Sequence, residues 1–290
     1  MDVIGDVVEQ MPGYAEENRR YWDAQADSYI ARGERSWATD IPTWGAWSVA
    51  DEHAPLLPDD LTDADVIELG CGTAYVSAWA HRRGARRVVG IDLSANQLRT
   101  ARRLADEHDV PLILHHGPAE HVPESDGAFD LAISEYGAVL WCEPTAFLAE
   151  AGRLLRDGGT LSFLTAHPLA TSTAPLDGSV PSGTELVRPW FGGHRYDWRD
   201  AVDDPGGIEF VPTVGEWFAL ASDAGFRVDD YREIQAPDTA AEGLHEAITT
   251  AWANRWPAEH AFWLTALPLP DDCRDPHGRS ATTDPGITRS

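Results

Sequence analysis

Lysine is absent from this 290-residue chain, and all 22 basic residues are arginine. Chemistry that needs a lysine amine is therefore excluded, including Schiff bases, a pyridoxal-phosphate anchor and Walker-type phosphate binding. Positive charge is scarce in general, because 48 acidic residues give a formal net charge of −26. A surface of this sign repels phosphate backbones and anionic lipids, so we expect neither a nucleic-acid nor a membrane partner.

Cysteine and long apolar runs are also scarce. The three cysteines, Cys71, Cys142 and Cys273, are far apart and odd in number, which predicts no disulfide framework and indicates a reducing cytoplasm. Apolar runs stay well short of the ~20 residues needed to span a bilayer, and the acidic N-terminus is not expected to be a signal peptide. His115 and His116 are adjacent on a predicted strand and face opposite sides, so we expect no metal site.

Strand and helix patterns alternate regularly from residue 65 onward. Strands are predicted at 66–69, 86–92, 111–117, 129–137 and 160–167, and the helix after the second strand opens at a Ser94 N-cap. A helix over 14–31 precedes this region, and a helix at 214–224, with Gly225 past its end, and another at 241–256 alternate with strands at 226–234 and 261–267 behind it. Repeated strand–helix units with short turns predict an α/β fold with a doubly wound parallel sheet.

The stretch VIELGCGTAYVS, residues 66–77, is the strongest motif in the chain. Gly70 and Gly72 stand where a strand turns into a helix, and they let a ligand approach the backbone. Asp92 ends the next strand, where an acid can hold both hydroxyls of a ribose. A dinucleotide site would need a third glycine where Tyr75 stands, and Glu68 beside the turn would repel a pyrophosphate but attract a cation. The motif therefore favours an adenosyl ligand that carries positive charge.

Four motifs in this order, VIELGCGTAYVS, GIDLS, FDLAISEY and LLRDGGTLSFL, resemble those of class I S-adenosylmethionine-dependent methyltransferases of the bacterial small-molecule type. The resemblance is strong over residues 20–166 and loose over 212–267. It implies a Rossmann-like, doubly wound sheet of seven mostly parallel strands. It also implies S-adenosylmethionine as cofactor and S-adenosylhomocysteine as product.

The resemblance further implies which residues contact the cofactor. The turn Gly70, Cys71, Gly72 and Thr73 would run along its methionine part, with Glu68 orienting the turn. Asp92 would take the ribose hydroxyls, while Leu93, Gln97 and the backbone of Ala119 would lie beside the adenine. Family members commonly have an aspartate for the adenine amino group where Pro118 stands, so Glu120 is a candidate for that contact. Ser134 would border the sulfonium, and the cover would contribute Tyr21, Tyr29 and Trp44.

No catalytic residue is shared throughout the family, so candidates come from their positions in this chain. His167 follows the fifth strand at the end where open α/β sheets hold their ligands. His194 lies in an irregular stretch farther on, and Glu135 ends the fourth strand. Each is a candidate base or substrate contact. A packed or turn histidine at 167, and a structural hydrogen bond from Glu135 to the N-terminal cover, are the competing interpretations.

Aromatic residues concentrate outside the strand–helix core. Candidate substrate contacts are Tyr136, Trp141, Trp190, Phe191 and Tyr196. Such rings would wall an apolar pocket for a bulky metabolite, and they would steady a cation formed by methylation of an alkene. The alternative is a second small hydrophobic core.

Five segments are expected: an N-terminal helical cover (1–60), the cofactor-binding core (61–166), a substrate cap inserted after the fifth strand (167–211), the rest of the core sheet (212–267) and a disordered tail (268–290). The predicted function is methyl transfer to oxygen, nitrogen or carbon of a small apolar or aromatic metabolite, including C-methylation of a prenyl group, in secondary metabolism. Cyclisation with the same cofactor and a nicotinamide-dependent oxidoreductase are the alternatives. The aromatic N-terminal segment could pair two copies into a homo-oligomer.

Overall fold

A computed structural model describes residues 11–201, 206–245 and 247–268. Within these ranges the helices are α1 (Gly13–Trp37), α2 (Tyr75–Arg82), α3 (Ala95–Glu107), α4 (Ala138–Trp141), α5 (Pro144–Leu154), α6 (Pro168–Ser172), α7 (Val214–Asp223) and α8 (Thr250–Ala253). The strands are β1 (Thr43–Trp44), β2 (Val49–Ala50), β3 (Asp65–Leu69), β4 (Arg87–Asp92), β5 (Ile113–His116), β6 (Phe129–Glu135), β7 (Leu155–Ala166), β8 (Arg195–Asp197), β9 (Ile208–Phe210), β10 (Phe226–Ile234), β11 (Leu244–His245), β12 (Ile248–Thr249) and β13 (Glu259–Ala266).

The central sheet has seven strands in the order β10-β13-β7-β6-β3-β4-β5. The strand pairs from β7 to β5 are parallel, whereas β13 is antiparallel to both β7 and β10. The predicted doubly wound, mostly parallel α/β sheet is therefore confirmed. The strand order reverses between β3 and β6, which is where such sheets form a ligand crevice.

Local sequence signals account for several helix ends. The Ser94 side chain accepts a hydrogen bond from the Gln97 amide at the start of α3, so the predicted N-cap is confirmed. Helix α7 begins with a capping box between Thr213 and Glu216, and Gly225 follows its end with φ +80°.

The helix predicted over 241–256 is wrong. The described part of that range contains β11, β12 and the four-residue α8. Ala247 has φ +66°, which a right-handed helix cannot contain. Trp252 is buried and its indole N–H donates to the Gly183 carbonyl at 2.6 Å, so packing against the cap segment overrides the local helical pattern.

Two glycine turns meet at the reversal of strand order. Gly70 follows β3 with φ +75°, and Gly137 follows β6. A Cβ on Gly137 would lie 2.2 Å from the Gly70 carbonyl oxygen, and a Cβ on Gly70 would lie 2.2 Å from the Ala138 amide nitrogen. The two backbones are thus in direct contact, and this contact sets the width of the crevice above them.

Replacing Gly137 with alanine should destabilise the protein by more than about 2 kcal/mol, because backbone atoms must move to admit the methyl group. Urea unfolding measures this. Gly215→Ala is the matched control, since an added Cβ there meets nothing within 4 Å near the start of α7, and it should be neutral or slightly stabilising. Equal stability of the two variants would contradict the described packing.

Candidate functional site

A cavity of about 390 Å³ lies at the carboxyl ends of the parallel strands. Residues after β3, β4, β6 and β7 form its floor, and α1 contributes Tyr21, Trp22, Tyr29 and Arg32 from above. The segment after β7 lines it with small residues, including Ala170 and Ala174, and also with Trp198 and Glu209. The cavity is therefore enclosed by the parts of the chain on either side of the core.

One end of the cavity has the chemistry expected for an adenosyl group. The Asp92 carboxylate accepts hydrogen bonds from the Gly72 amide at 2.7 Å and the Ser94 amide at 2.8 Å, which fixes it at the end of β4. A Cβ on Gly72 would meet only Gln97 Oε1, at 4.0 Å, so the turn leaves room for a ligand. Gln97 Oε1 is buried and has no hydrogen-bond partner within the described ranges, and a ligand hydroxyl or amino group would satisfy it. These residues fit a nucleoside.

Glu68 is buried behind the glycine turn. It accepts hydrogen bonds from the amide and the hydroxyl of Ser77, in the first turn of α2. Burial raises its pKa to about 8, because the charged form is poorly solvated there. The carboxyl group therefore anchors the helix that follows the turn.

Glu135 is both a cavity residue and a structural anchor. Its carboxylate accepts from the Tyr75 hydroxyl at 2.5 Å and from the Gly45 amide at 2.7 Å, with Arg32 at 3.7 Å. Tyr75, which replaces the third glycine of a dinucleotide motif, thus binds the end of β6. This geometry matches the competing interpretation of Glu135 as a hydrogen-bond partner of the N-terminal cover.

Glu259, at the start of β13, binds the residue after Gly45 in the loop between β1 and β2. It is fully buried and accepts from the Ala46 amide at 2.6 Å. Burial raises its pKa to about 7. Two buried carboxyl groups therefore fasten successive amides between β1 and β2, and Trp47, which follows them, lines the cavity.

Another part of the cavity is built around the indole of Trp141. Tyr21 stacks on it at 5.2 Å and 24°, and Trp22 meets it edge-on at 5.2 Å. Gly207 packs against the same indole so closely that a Cβ would lie 2.3 Å from the ring. Trp198 joins this group because its amide donates to the Gly207 carbonyl at 3.0 Å. We call the space bordered by Tyr21, Trp22, Trp141, Trp198 and Glu209 the aromatic compartment.

Asn18 ties the walls of the aromatic compartment together. Its side-chain amide N–H groups donate to the carbonyls of Trp141 and Ile208, both at 2.9 Å, and its Oδ1 accepts from the Ile208 amide at 2.7 Å. Asn18 is fully buried. One carboxamide thereby joins α1, the end of α4 and β9.

His167 lies beside the cavity. Its Nδ1 accepts from the Leu169 amide at 3.1 Å as the N-cap of α6, and its ring is 5.0 Å from that of His260. Burial lowers the pKa of His167 to about 4 and that of His260 well below its usual value. This geometry is that of the packed turn histidine named as the competing interpretation.

Fourteen of the predicted residues line the cavity: Tyr21, Tyr29, Glu68, Gly70, Cys71, Gly72, Thr73, Asp92, Leu93, Gln97, Ala119, Glu135, Tyr136 and Trp141. Others have different surroundings. Trp44 is fully buried and packs edge-on against Trp79. The Ser134 hydroxyl donates to the Leu69 carbonyl at 2.7 Å.

The rest of the predicted site residues lie in outer layers. Pro118 is buried, and Glu120 accepts from the Tyr14 hydroxyl. His194 is half exposed at 4.0 Å from Glu216, and Phe191 is 85% exposed, with Trp190 beside it partly buried. Tyr196 stacks on Trp198, at 6.4 Å, and packs against the hydrophobic cluster of Leu140, Trp141 and Val211. Tyr196 therefore lies beside Trp141, although none of the three aromatic residues predicted in the cap segment is among the described residues that line the cavity.

Sequence reasoning missed several cavity residues, among them Trp22, Arg32, Gly207 and Glu209, whereas Trp47 and Trp198 belong to the aromatic residues expected outside the core. Trp22 carried a signal, because it follows Tyr21 in the helical pattern of α1. Glu209 carried none, since a lone acid in GGIEFV matches no motif. Within the described ranges, no group of three His, Cys, Asp or Glu side chains could hold a metal ion, and no helix is long and apolar enough to cross a membrane.

Comparison with known proteins agrees with this geometry. Residues 66–159 match the family model described as a methyltransferase domain. The chain is 26% identical over 186 residues to a ubiquinone biosynthesis O-methyltransferase of Methylobacterium sp. (strain 4-46), covering 59% of this chain and 73% of that protein. It is 30% identical over 190 residues to a malonyl-[acyl-carrier protein] O-methyltransferase of Alcanivorax borkumensis, covering 61% of this chain and only 56% of that relative's length.

The fold is also similar to solved structures. Geranyl diphosphate C-methyltransferase from Streptomyces coelicolor A3(2), solved with Mg²⁺, geranyl diphosphate and S-adenosylhomocysteine, superposes with a TM-score of 0.61. The match covers 89% of this chain and 100% of that one, at 17% identity. At this identity the likeness concerns the fold.

Replacing Asn18 with leucine, which has a similar size, should lower the free energy of unfolding by about 3 kcal/mol, because three buried backbone groups lose their partners. Chemical denaturation followed by tryptophan fluorescence measures this. Gln25→Leu on the same helix is the control. A loss in Asn18→Leu no larger than that of the control would show that Asn18 does not hold the compartment together.

His260 should make the protein sensitive to acid. Its imidazole is fully buried, and neither ring nitrogen has a hydrogen-bond partner within the described ranges. Below the unfolded-state pKa of about 6.5 the unfolded chain binds a proton that the folded protein does not, so stability falls by up to ~1.4 kcal/mol per pH unit. His260→Phe should reduce this slope between pH 6.5 and 5, whereas the exposed His121→Gln should not. If stability falls equally steeply with pH in the wild type and in His260→Phe, His260 is not a source of the acid sensitivity.

Proposed function

Because the chain belongs to the class I S-adenosylmethionine-dependent methyltransferases, we propose that its methyl acceptor is a small apolar or aromatic metabolite. The observation that carries this proposal is the aromatic compartment, which belongs to the same cavity as Gly72 and Asp92. The compartment presents four aromatic rings, those of Tyr21, Trp22, Trp141 and Trp198. Such a set suits a planar or bulky apolar molecule. We further propose that the enzyme acts in secondary metabolism, in the cytoplasm.

Gly72, Asp92 and Gln97, which lie close together in the cavity, would hold the cofactor in one orientation. S-Adenosylmethionine, when bound, supplies a methyl group attached to a positively charged sulfur. Asp92 would accept hydrogen bonds from the ribose hydroxyls, and Gln97 Oε1 would accept another hydrogen bond from the nucleoside. The open face of Gly72 lets the ligand lie against the backbone. Methyl transfer requires alignment and a dry site, and the rings around Trp141 would exclude water from the acceptor side.

The substrates named for related proteins differ in how well they suit this cavity. Geranyl diphosphate requires cationic ligands for its phosphates, and the structure of the Streptomyces enzyme contains Mg²⁺. Among the described cavity residues Arg32 is the single basic side chain, and it lies next to Glu135. A quinone-like ring or another uncharged aromatic molecule suits the compartment better than a diphosphate. Methylation of an alkene carbon stays possible only for an acceptor without phosphates.

Cyclisation with the same cofactor is the second candidate function, and the aromatic compartment favours methyl transfer because it provides separate space for an acceptor. Incubation with methyl-labelled S-adenosylmethionine and a set of uncharged aromatic metabolites should yield labelled product and S-adenosylhomocysteine. Asp92→Asn should weaken S-adenosylhomocysteine binding about tenfold or more, measured by calorimetry, because a charge-assisted contact is lost. Asp106→Asn, on the far end of α3, is the control. Unlabelled product would support cyclisation, and undetectable cofactor binding would overturn the whole assignment.

A further inference from the structure

We propose that Arg188 is a positioning residue for the methyl acceptor, because its guanidinium joins two parts of the cap segment (167–211) that line the cavity. The inference rests on the proposed function and deepens it by naming a residue that sets the shape of the acceptor's compartment. One part is α6 with the residues that follow it, where Thr171 and Ala174 line the cavity. The other part follows β8, where Trp198 lines it.

The N–H groups of Arg188 bind the backbone of the first part. Its Nη1 donates to the Thr171 carbonyl at 3.1 Å and also to the Ala174 carbonyl, and its Nη2 donates to the Pro175 carbonyl at 3.1 Å. These carbonyls lie in and just after the last turn of α6, where backbone carbonyls need partners outside the helix and attract a cation. Arg188 therefore fixes the backbone that brings Thr171 and Ala174 to the cavity.

The same guanidinium contacts the aromatic rings of the second part. Its central carbon lies 5.1 Å from the centroid of the Trp198 ring and 5.8 Å from that of Tyr196. Both distances are within the range of a cation–π contact. The two rings stack on each other at 6.4 Å and 23°, so the cation binds a pair of rings. Trp198 is thereby held at a defined place beside the aromatic compartment.

An arginine suits this junction better than any other side chain. A guanidinium is flat, so it donates N–H groups in its plane while its faces remain free to lie against rings. Arg188 is partly buried and is not among the described residues that line the cavity, so it acts on an acceptor through Thr171, Ala174 and Trp198. Methyl transfer depends on the alignment of the acceptor, and the junction therefore concerns the acceptor more than the cofactor.

Other contacts attach this part of the cap segment without the guanidinium. The Val187 amide donates to the Ser172 carbonyl at 2.9 Å, and the Gly183 amide donates to the Thr173 carbonyl at 3.1 Å. The Trp252 indole donates to the Gly183 carbonyl at 2.6 Å. Because these hydrogen bonds remain when Arg188 is replaced, we expect the variants to fold and the effect to appear at the compartment.

The test measures two affinities of the same protein. The probe is 2-naphthol, an uncharged aromatic alcohol, titrated by calorimetry into the full chain saturated with S-adenosylhomocysteine. Arg188→Met keeps the length of the side chain and removes its charge, and it should weaken 2-naphthol about fivefold or more. Its affinity for S-adenosylhomocysteine should change by less than about twofold, because Gly72 and Asp92 are not part of the junction. Arg195→Met, an exposed arginine of the same segment, should change neither affinity.

A double-mutant cycle shows whether Arg188 acts through Trp198. Trp198→Leu should also weaken 2-naphthol about fivefold or more, and adding Arg188→Met to it should cost less than about a further twofold. Arg188→Lys keeps the charge without the flat group, so it should stay at least about twofold weaker than the wild type. It also replaces Arg188→Met in the test if that variant does not fold. A purely structural role would lower stability in urea and leave the two affinities of the folded protein unchanged.

Arg188 variants that bind 2-naphthol as tightly as the wild type, or losses that add fully in the double variant, would overturn the proposal. If the wild type binds S-adenosylhomocysteine and 2-naphthol and only the effect of Arg188 is missing, this inference falls alone. If the wild type binds S-adenosylhomocysteine but not 2-naphthol, the apolar aromatic acceptor falls and this inference with it. Failure to bind S-adenosylhomocysteine refutes the proposed function as a whole.

Discussion

The three hydrogen bonds of Asn18 are the constraint on which the cavity depends. Helix α1, the end of α4 and strand β9 are far apart in sequence, and the side chain of Asn18 reaches the backbone of the other two. A buried carboxamide that satisfies three backbone groups cannot be shifted without leaving some of them unpaired, at about 1–3 kcal/mol each. Tyr21, Trp22 and Trp141 are therefore positioned by a residue that is not itself among the described residues that line the cavity.

Acidic side chains divide between two tasks in this protein. Glu135 and Glu259 bind backbone amides of the β1–β2 loop and so link the core to the N-terminal segment, whereas Glu68 anchors α2. Burial raises the pKa of Glu68 and of Glu259. Asp92 lines the cavity beside the glycine turn instead. That part of the cavity suits a nucleoside, and the aromatic compartment suits an apolar molecule.

Much of the fold could be predicted because its signals are local. Alternating apolar strands, the Ser94 cap and Gly225 each act within a few residues, and the order of the motifs gave the sheet and the position of Asp92. The helix expected over 241–256 failed because Trp252 is buried by contacts from the segment before β8. The short-range pattern of that stretch carries no information about those distant partners.

The aromatic compartment was predicted only in outline for the same reason. Aromatic residues in the cap segment were recognised, yet Phe191 faces solvent while Trp198 and Glu209 line the cavity. Asn18 has no local signal at all, because its partners lie 123 and 190 residues away. A histidine after the fifth strand was a candidate base in the sequence, but His167 caps helix α6 and meets the ring of His260 edge-on, which matches a packed turn histidine.

A crystal structure with S-adenosylhomocysteine bound is the most direct test of the claim that one cavity joins a nucleoside end to an acceptor end. We expect the ribose hydroxyls to contact Asp92, Gln97 Oε1 to gain a hydrogen-bond partner, and the sulfur to face the aromatic compartment. A sulfur turned toward solvent, or a nucleoside bound away from Gly72 and Asp92, would contradict it.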